Sequence, residues 1–143
     1  MAYSSATRVG GWYSGNLLVH DADAEIAALQ DHLALLKEMG STVFVHAETS
    51  NATHGARAVP MTETPVLDEA GWKQFGERLT KVAGYIAAQG LRFAYHHHLG
   101  TVVERADDLD AFIRHTGPNV GLTLDTGHAA LGGINPIEVI KAH

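Results

Sequence analysis

The sequence predicts an α/β protein built on a parallel β-sheet. Short apolar runs that are typical of strands alternate with longer segments in which apolar residues recur every three or four positions, as on one face of a helix. Strands that alternate with helices in this way favour parallel pairing with right-handed crossovers. Four such βα units form either half of a (β/α)8 barrel or an independent four-stranded sheet of the flavodoxin type, and the pattern alone does not separate the two.

The predicted strands are short, and polar residues follow the last three of them. Their ranges are 9–13, 42–48, 91–98 and 120–125, of which the first is the weakest. A long irregular segment, residues 49–65, lies between the second strand and the next helix. Loops of this length after a strand often carry ligand contacts in α/β proteins or are simply mobile.

Four helices are predicted from their apolar faces and their end signals. The first follows Asp21 or Asp23, and the fourth begins at Asn135 as N-cap with Pro136 at its first helical position. Glycine follows each of the first three helices, which is a common way for a helix to end. The predicted apolar faces consist of Ile26, Leu29, Leu33 and Leu36 in the first helix, Trp72, Phe75, Leu79, Val82 and Ile86 in the second (68–89), and Leu109, Phe112 and Ile113 in the third (105–116).

The composition describes a folded, acidic protein. Its 143 residues suffice for one domain, which is predicted to span residues 1–143. The net charge of −6 argues against the basic footprint of nucleic-acid binding, so no nucleic-acid partner is expected. The chain has no cysteine, which excludes disulfides and thiolate metal sites. No apolar run approaches the ~20 residues of a membrane span, and the first residues lack the apolar centre of a signal peptide. A cytoplasmic location without membrane contact is therefore expected.

Histidines and carboxylates cluster where three of the predicted strands end. They are His46 and Glu48 after the second strand, His96, His97 and His98 after the third, and Asp125 and His128 after the fourth. The carboxyl edge of a parallel sheet is its functional edge, and the alternation of a strand places His96 and His98 on one face. Imidazoles and carboxylates without thiolates suit Mn²⁺, Co²⁺, Zn²⁺ or Fe²⁺. The pattern predicts a metal or catalytic site at this edge.

Some of these residues also have ordinary structural explanations. His97 is expected to pack or to bond a backbone carbonyl. Asp125 alone would be explained as a cap of the following turn, because Asp-Thr-Gly is favourable turn chemistry. Two histidines on one face, together with Asp125 and His128 at the next strand end, are less readily explained by packing. No function is predicted for the histidines on helices and loops, which are His20, His32, His54, His115 and His143.

Two stretches of the sequence resemble a known family. YHHHLGTVVE, which begins at Tyr95, and VGLTLDTGH, which ends at His128, resemble the inosose dehydratase branch of the xylose-isomerase-like (endonuclease IV-like) barrel superfamily. GGWYSGNL, and FVHAE with the long loop after it, are similar to the middle portion of the same branch. The resemblance covers nearly the whole chain. The pair HHH-x-G-T and LDTGH is quite specific, whereas LDTGH alone marks only the superfamily.

This resemblance implies a (β/α)8 barrel with a divalent metal, Mn²⁺ or Co²⁺, at its C-terminal mouth. It makes Asp125 a metal ligand and brings His128 to the metal or the substrate. His96 stands where many relatives carry a glutamate ligand, and Glu104 is the alternative to His96. The chain matches strands three to six of such a barrel, so the expected fold is a partial TIM (β/α)8 barrel of about four parallel βα units. Its open edges predict a homo-oligomer or association with the remainder of the barrel.

The implied activity is that of a hydro-lyase that dehydrates 2-keto-myo-inositol (scyllo-inosose), a small polyol ketone, in inositol breakdown. The reaction enolises the ketone and then eliminates water, and the metal stabilises the negative charge that develops. His98 and His128 are the expected substrate contacts or acid–base groups, and Glu48 is a further base or hydroxyl acceptor. Trp12 and Tyr13 are candidate platforms for the sugar ring, with a core position for Trp12 as the alternative.

The sequence leaves three alternatives to this activity. A sugar or keto-acid isomerase or epimerase of the same superfamily would share the enolisation step and the metal. A DNA endonuclease is disfavoured by the acidic charge and by the lack of a Lys/Arg stripe. A truncated half-barrel that self-associates without activity is the third alternative.

Overall fold

The computed structural model describes residues 11–54, 56, 58–60 and 63–143, within which a parallel four-stranded sheet has the order β1-β2-β3-β4. The strands are β1 (Trp12–Gly15), β2 (Val43–Glu48), β3 (Arg92–His96) and β4 (Val120–Thr123). Strands that are consecutive in the sequence are also neighbours in the sheet, which confirms the predicted α/β class. Residues 9 and 10 of the first predicted strand lie outside the described residues, and the observed strand continues to Gly15.

Six helices occur in the described part of the chain. They are α1 (Ala22–Ala28), α2 (Gln30–Glu38), α3 (Glu69–Ala88), α4 (Ala106–His115), α5 (Thr126–Leu131) and α6 (Pro136–Ala142). The predicted first helix is therefore two segments that meet at Leu29, and α5 is a helix that the sequence pattern did not predict. Asp21 and Asp68 cap α1 and α3 through a backbone N–H three residues on, and Asn135 caps α6 as predicted. Among the described helices, none combines the length and the apolar character needed to span a membrane.

The register of the strands gives the sheet two different faces. His46 pairs with Tyr95, and side chains alternate along each strand, so these two residues project to the same face as Phe44 and Phe93. These four side chains are buried beneath the helices, and this side is called the covered face. The opposite side is called the open face, and its partly exposed residues include Trp12, Val45, Ala94 and His96.

Aromatic packing between the covered face and the helices forms the centre of the core. The ring of Tyr95 in β3 lies 6.2 Å from that of Phe75 in α3 and 4.6 Å from that of Phe112 in α4, measured between ring centroids. Phe44 stacks on Phe93 at 6.2 Å. All five side chains are almost fully buried, and each apolar side chain of this size stabilises the fold by about 1.5–3 kcal/mol. This packing fixes which face of β3 points away from the helices.

The described sheet is open at both ends. β1 and β4 are its edge strands, and each pairs on one side only. Next to β4, a groove lined by Leu122 and Val139 separates the strand from α6, where Ile137 and Ile140 are 60% and 68% exposed. Open edges and an exposed apolar helix face are features of a partial barrel, which is the predicted architecture.

Tyr13 makes the fold less stable as the pH rises from about 10 towards 12. Burial, together with the nearby carboxylates of Glu25 and Glu48, raises the pKa of Tyr13 to about 12, compared with about 10 in an unfolded chain. Between these values the folded state keeps a proton that the unfolded state has lost. This contribution to stability is therefore complete below pH 10 and is lost as the pH rises towards 12.

We expect Tyr13→Phe to flatten the decline in the free energy of unfolding between about pH 10 and 12, because the variant has no phenol to ionise. Urea titrations across this range would measure the decline, and an unchanged slope would contradict the expectation.

Candidate metal and substrate site

Three histidines meet on the open face at the carboxyl edge of the sheet. One ligand nitrogen from each of His96, His98 and His128 lies within 4.8 Å of the other two, and these residues are called the histidine cluster. The ring centroids of His98 and His128 are 3.8 Å apart, and those of His96 and His128 are 5.6 Å apart. All three residues are half-buried. The structure thus brings together three residues that the sequence had placed at the ends of two different strands.

The alternation of β3 positions the first two members of the cluster. His96 ends the strand and His98 follows two residues later, so both project to the open face. Nδ1 of His98 lies 2.7 Å from the carbonyl oxygen of Leu99. Because a carbonyl can only accept, Nδ1 carries the proton and the lone pair of Nε2 is available for a cation or a substrate proton.

His128 enters the cluster from α5, and Asp125 both starts this helix and borders the cluster. Oδ1 of Asp125 accepts the backbone N–H groups of Gly127 and His128, each at 2.9 Å. Its second oxygen, Oδ2, lies 3.9 Å from Nε2 of His128. The structural and functional explanations of Asp125 are therefore compatible, because one oxygen caps the helix while the other faces the imidazole.

The electrostatic environment favours the cation-binding forms of these groups. Burial lowers the pKa of His96 and of His128, and the neighbouring imidazole of His98 lowers both further. The backbone N–H of His128 holds the pKa of Asp125 below its usual value. Unprotonated imidazoles and an ionised carboxylate are the forms in which these side chains bind metals.

His97 connects the ends of β3 and β4. Its fully buried ring accepts the backbone N–H of Asp125 at Nε2, at 3.2 Å. Burial, and then the proximity of His96, lowers the pKa of His97 to about 4, so this imidazole is neutral at pH 7. His97 was expected to pack or to bond a backbone carbonyl; it packs, but its backbone partner is an N–H group.

Trp12 lies beside the cluster, and His54 lies beside Trp12. The centroid of the indole is 5.9 Å from that of His96 and 6.1 Å from that of His98, on which it stacks. His54 lies 6.2 Å from Trp12 and 4.8 Å from His98. Trp12 is 38% exposed, which suits a platform rather than a core position. Tyr13, the other candidate platform, instead contacts the core ring of Phe44 at 5.6 Å.

The loop that carries His54 is docked against the loop that follows β3. The N–H of Thr53 donates to the carbonyl of Gly100 at 2.7 Å, and the N–H of Gly100 donates to Glu104 at 2.7 Å. Glu104 also accepts the hydroxyl of Thr64 at 3.2 Å. Gly100 has φ +74°, and a Cβ at this position would lie 2.7 Å from the backbone nitrogen of His54. Glu104, the alternative metal ligand, therefore holds two loops together and is not brought to the cluster.

Glu48 lies on the covered side of the sheet, and the structure does not bring it to the histidine cluster. Its carboxylate is buried and accepts the N–H of Leu17 at 2.6 Å and the N–H of Ser50 at 2.8 Å. Alternation gives Glu48 the same direction as His46, as the sequence predicted, but the register turns that direction towards the helices. No contact of Glu48 in the described structure supports its predicted role as base or hydroxyl acceptor.

His46 belongs to a separate buried polar group. Its Nε2 lies 3.4 Å from Oε1 of Glu25, and Nδ1 of His20 lies 3.4 Å from Oε2 of the same carboxylate. Burial alone would raise the pKa of Glu25, but the nearby imidazole of His46, the N–H of Asn16 and the imidazole of His20 outweigh burial and lower it. This group anchors the segment after β1 and is not part of the cluster.

The histidine cluster fits a divalent cation. Nitrogen ligands at about 2.1 Å from a metal lie roughly 3–4 Å from one another, so a spacing within 4.8 Å needs only small side-chain adjustments. The bond from His98 to the Leu99 carbonyl fixes the tautomer and the orientation of this imidazole beside the other two. Imidazole nitrogens with one carboxylate are compatible with several divalent ions of the first transition series.

A family model described as "Xylose isomerase-like TIM barrel" matches residues 5–142. The chain belongs to this family. The match confirms the superfamily that the HHH-x-G-T and LDTGH stretches indicated. It also explains why the histidine cluster lies at the carboxyl edge, where barrels of this architecture build their sites.

Two relatives of known sequence illustrate the similarity. The rhizopine catabolism protein MocC of Rhizobium meliloti is 38% identical over 133 residues, which are 93% of this chain and 41% of that protein. An inosose dehydratase of Clostridium perfringens is 31% identical over 134 residues, which are 92% of this chain and 45% of that enzyme. The chain thus spans less than half the length of the curated relatives it matches.

Solved structures show a similar fold. A probable 3-DHS dehydratase of Bacillus anthracis superposes with a TM-score of 0.66 at 14% identity, over 90% of this chain and 44% of that one. A sugar phosphate isomerase/epimerase of Parabacteroides distasonis superposes with a TM-score of 0.64 at 16% identity, over 85% and 42%. At these identities the likeness concerns the fold alone.

Asp125→Asn tests whether the carboxylate binds a cation beyond its role as a helix cap. Asparagine caps helices as well as aspartate does but carries no charge. We expect a loss of at least tenfold in Co²⁺ affinity, measured by calorimetric titration, with a nearly unchanged thermal unfolding midpoint. Asp21→Asn, at the start of α1, is the matched cap control and should retain the affinity. Unchanged Co²⁺ binding in Asp125→Asn would show that the carboxylate is only a cap.

Glu48→Gln tests the separation of Glu48 from the cluster. An amide cannot accept both N–H groups through two charged oxygens, so we expect a loss of about 1–3 kcal/mol in the free energy of unfolding. The Co²⁺ affinity of the folded variant should stay within twofold of the original. A variant with normal stability and weakened Co²⁺ binding would instead place Glu48 in the site.

Proposed function

We propose that this chain forms the metal- and substrate-binding edge of a cytoplasmic hydro-lyase that dehydrates 2-keto-myo-inositol in inositol catabolism. The observation that carries the proposal is the convergence of His96, His98 and His128 beside the Asp125 carboxylate and the Trp12 indole. Similarity to inosose dehydratases over 92% of the chain supports the same reaction class. Because the chain covers less than half of those enzymes, the activity of the whole protein is part of the proposal.

Asp125 and His96 would hold the divalent cation, with Mn²⁺ or Co²⁺ as the preferred ion. Bound there, the cation would polarise the ketone and stabilise negative charge on its oxygen. The carboxylate supplies the negative charge of the site, and the capping bonds to Oδ1 restrict its rotation. Outer contacts of this kind position a ligand before the cation arrives.

His98 and His128 are suited to the two proton transfers. With ring centroids only 3.8 Å apart, the two imidazoles can act on one bound substrate, one as the base and the other as the acid. The base removes the proton from the carbon next to the ketone. The acid protonates the hydroxyl on the following carbon, which leaves as water while the carbon–carbon double bond forms. The pair gains one proton and loses one, so its total charge is the same before and after the reaction.

Trp12 provides an apolar surface for a polyol ring. Its half-exposed indole stacks on His98, so C–H groups of a ring placed over the indole would lie next to the proton-transferring imidazoles. Aromatic faces bind the apolar face of a ring and leave its hydroxyl groups free to make hydrogen bonds.

An isomerase or epimerase would begin with the same proton abstraction, so the test must separate enolisation from elimination. When the ketone is incubated with the protein and Mn²⁺ in D₂O, the α-proton of the ketone should exchange with the solvent. A conjugated dione with new ultraviolet absorbance should also be released. We expect chelation with EDTA to abolish both signals, and His128→Asn to lower the rate at least 100-fold while retaining cation binding.

Exchange of the α-proton without loss of water would replace the dehydratase with an isomerase or epimerase. If His128→Asn retained the full rate, His128 would not take part in proton transfer. Light scattering on the assayed sample distinguishes an active monomer from the expected homo-oligomer. His143→Ala, a change at the exposed end of α6, is the matched control and should keep both signals.

A further inference from the structure

The loop after β2 adds a fourth imidazole beside the histidine cluster. His54 lies 4.8 Å from His98 and 6.2 Å from Trp12 between ring centroids, so it borders the proton-transferring pair and the proposed platform at once. Its Nδ1 is buried and has no hydrogen-bond partner among the described residues. A buried atom is out of reach of a ligand, so the unpartnered Nδ1 shows only that no hydrogen bond holds this side of the ring, and the exposed part of the half-buried ring is the part that can meet a ligand.

We infer that His54 is a substrate-contacting residue that recognises a hydroxyl group of a neutral cyclic polyol lying on Trp12, and that it does not bind the cation. This inference rests on the proposed function and names a specificity-determining residue for it. His54 is half-buried and is carried by a loop, so it is placed to read the ligand without belonging to the strands that position the proposed cation ligands.

The spacing of the ring nitrogens separates His54 from the histidine cluster. The group of residues whose ligand atoms lie within 4.8 Å of one another contains His96, His98 and His128, and His54 is not a member. Its ring instead contacts the indole and one imidazole, both of which present flat surfaces. His54 therefore lies beside the indole of Trp12 and the imidazole of His98.

The chemistry of imidazole matches a hydroxyl group better than a phosphate. A neutral imidazole has one N–H donor and one acceptor nitrogen, and a hydroxyl can pair with either. Phosphate groups are recognised by permanent positive charge, usually that of arginine or lysine. The rings next to Trp12 in the described structure include the imidazoles of His54, His96 and His98, which suit the hydroxyl groups of an uncharged polyol.

Backbone contacts to Gly100 hold His54 in place. The N–H of Thr53, the preceding residue, donates to the Gly100 carbonyl at 2.7 Å, so the loop is fixed one residue before the imidazole. A side chain on Gly100 would collide with the backbone of His54. Gly100→Ala should therefore displace the imidazole without changing its chemistry.

The test measures two affinities by calorimetry: that of Co²⁺, and that of scyllo-inosose in the presence of Co²⁺. His54→Ala should weaken binding of the ketone at least tenfold and leave Co²⁺ affinity within twofold. His54→Gln, which retains a donor and an acceptor, should recover most of the affinity for the ketone. A purely structural role of His54 would not be rescued in this way. His143→Ala, at the exposed end of α6, is the matched control and should leave both affinities unchanged.

A double-mutant cycle with Gly100→Ala supplies the independent check. If both changes act through the same imidazole, the double variant should bind the ketone no more weakly than His54→Ala alone. Unchanged ketone affinity in His54→Ala would overturn the inference. Loss of Co²⁺ affinity equal to that of Asp125→Asn would also overturn it and make His54 a cation ligand.

A neutral ketohexose, titrated in parallel, separates this inference from the proposed function. Binding of the ketohexose and not of scyllo-inosose, with the same dependence on His54, would overturn the inositol substrate and leave the role of His54 intact. Binding of neither compound to the unmodified protein would overturn both.

Discussion

The register of β3 beneath the helices is the constraint on which the site depends. Tyr95 occupies the space between the aromatic rings of α3 and α4. Because side chains alternate along a strand, this position fixes the directions of all the remaining side chains of β3. His96 and His98 face away from the helices because Tyr95 and His97 face towards them. A shift of one residue would place the proposed metal and proton-transfer groups in the core and the tyrosine in solvent. The packing of the core therefore selects which imidazoles are available for chemistry.

Much of the fold and part of the site follow from local patterns in the sequence. Period-two and helical patterns identify the parallel sheet and most helices, and the edge rule identifies His96, His98 and His128. The face of Glu48 could not be predicted, because it depends on the pairing of β2 with β3, a long-range property. Helix α5 was missed because it begins with Asp-Thr-Gly, which is also turn chemistry, and has only six residues. His54 lies in an irregular loop whose position depends on a hydrogen bond to the distant Gly100.

Buried carboxylates stabilise the segment that follows β1 and so support Trp12 at the site. Glu25 accepts the N–H of Asn16, Glu48 accepts the N–H of Leu17, and Arg78 of α3 donates to the carbonyl of Leu17. Desolvation of a carboxylate is costly, but backbone N–H groups offset the cost and have no other partner once the strand has ended. Glu48, which the sequence predicted to be a base or hydroxyl acceptor, and Glu25 thus anchor a loop.

The site draws on all four βα units of the described sheet. Trp12 comes from β1, His54 follows β2, His96 ends β3 with His98 two residues later, and Asp125 follows β4. Two of these contributors lie on or beside the edge strands, whose outer hydrogen-bonding groups are unpaired in the described sheet. Whatever covers those edges will fix the twist between β1 and β4 and with it the separation of the indole from the carboxylate. Assembly of the sheet and geometry of the site are therefore coupled, and the imidazoles on the central strand β3 are the part of the site that depends least on that assembly.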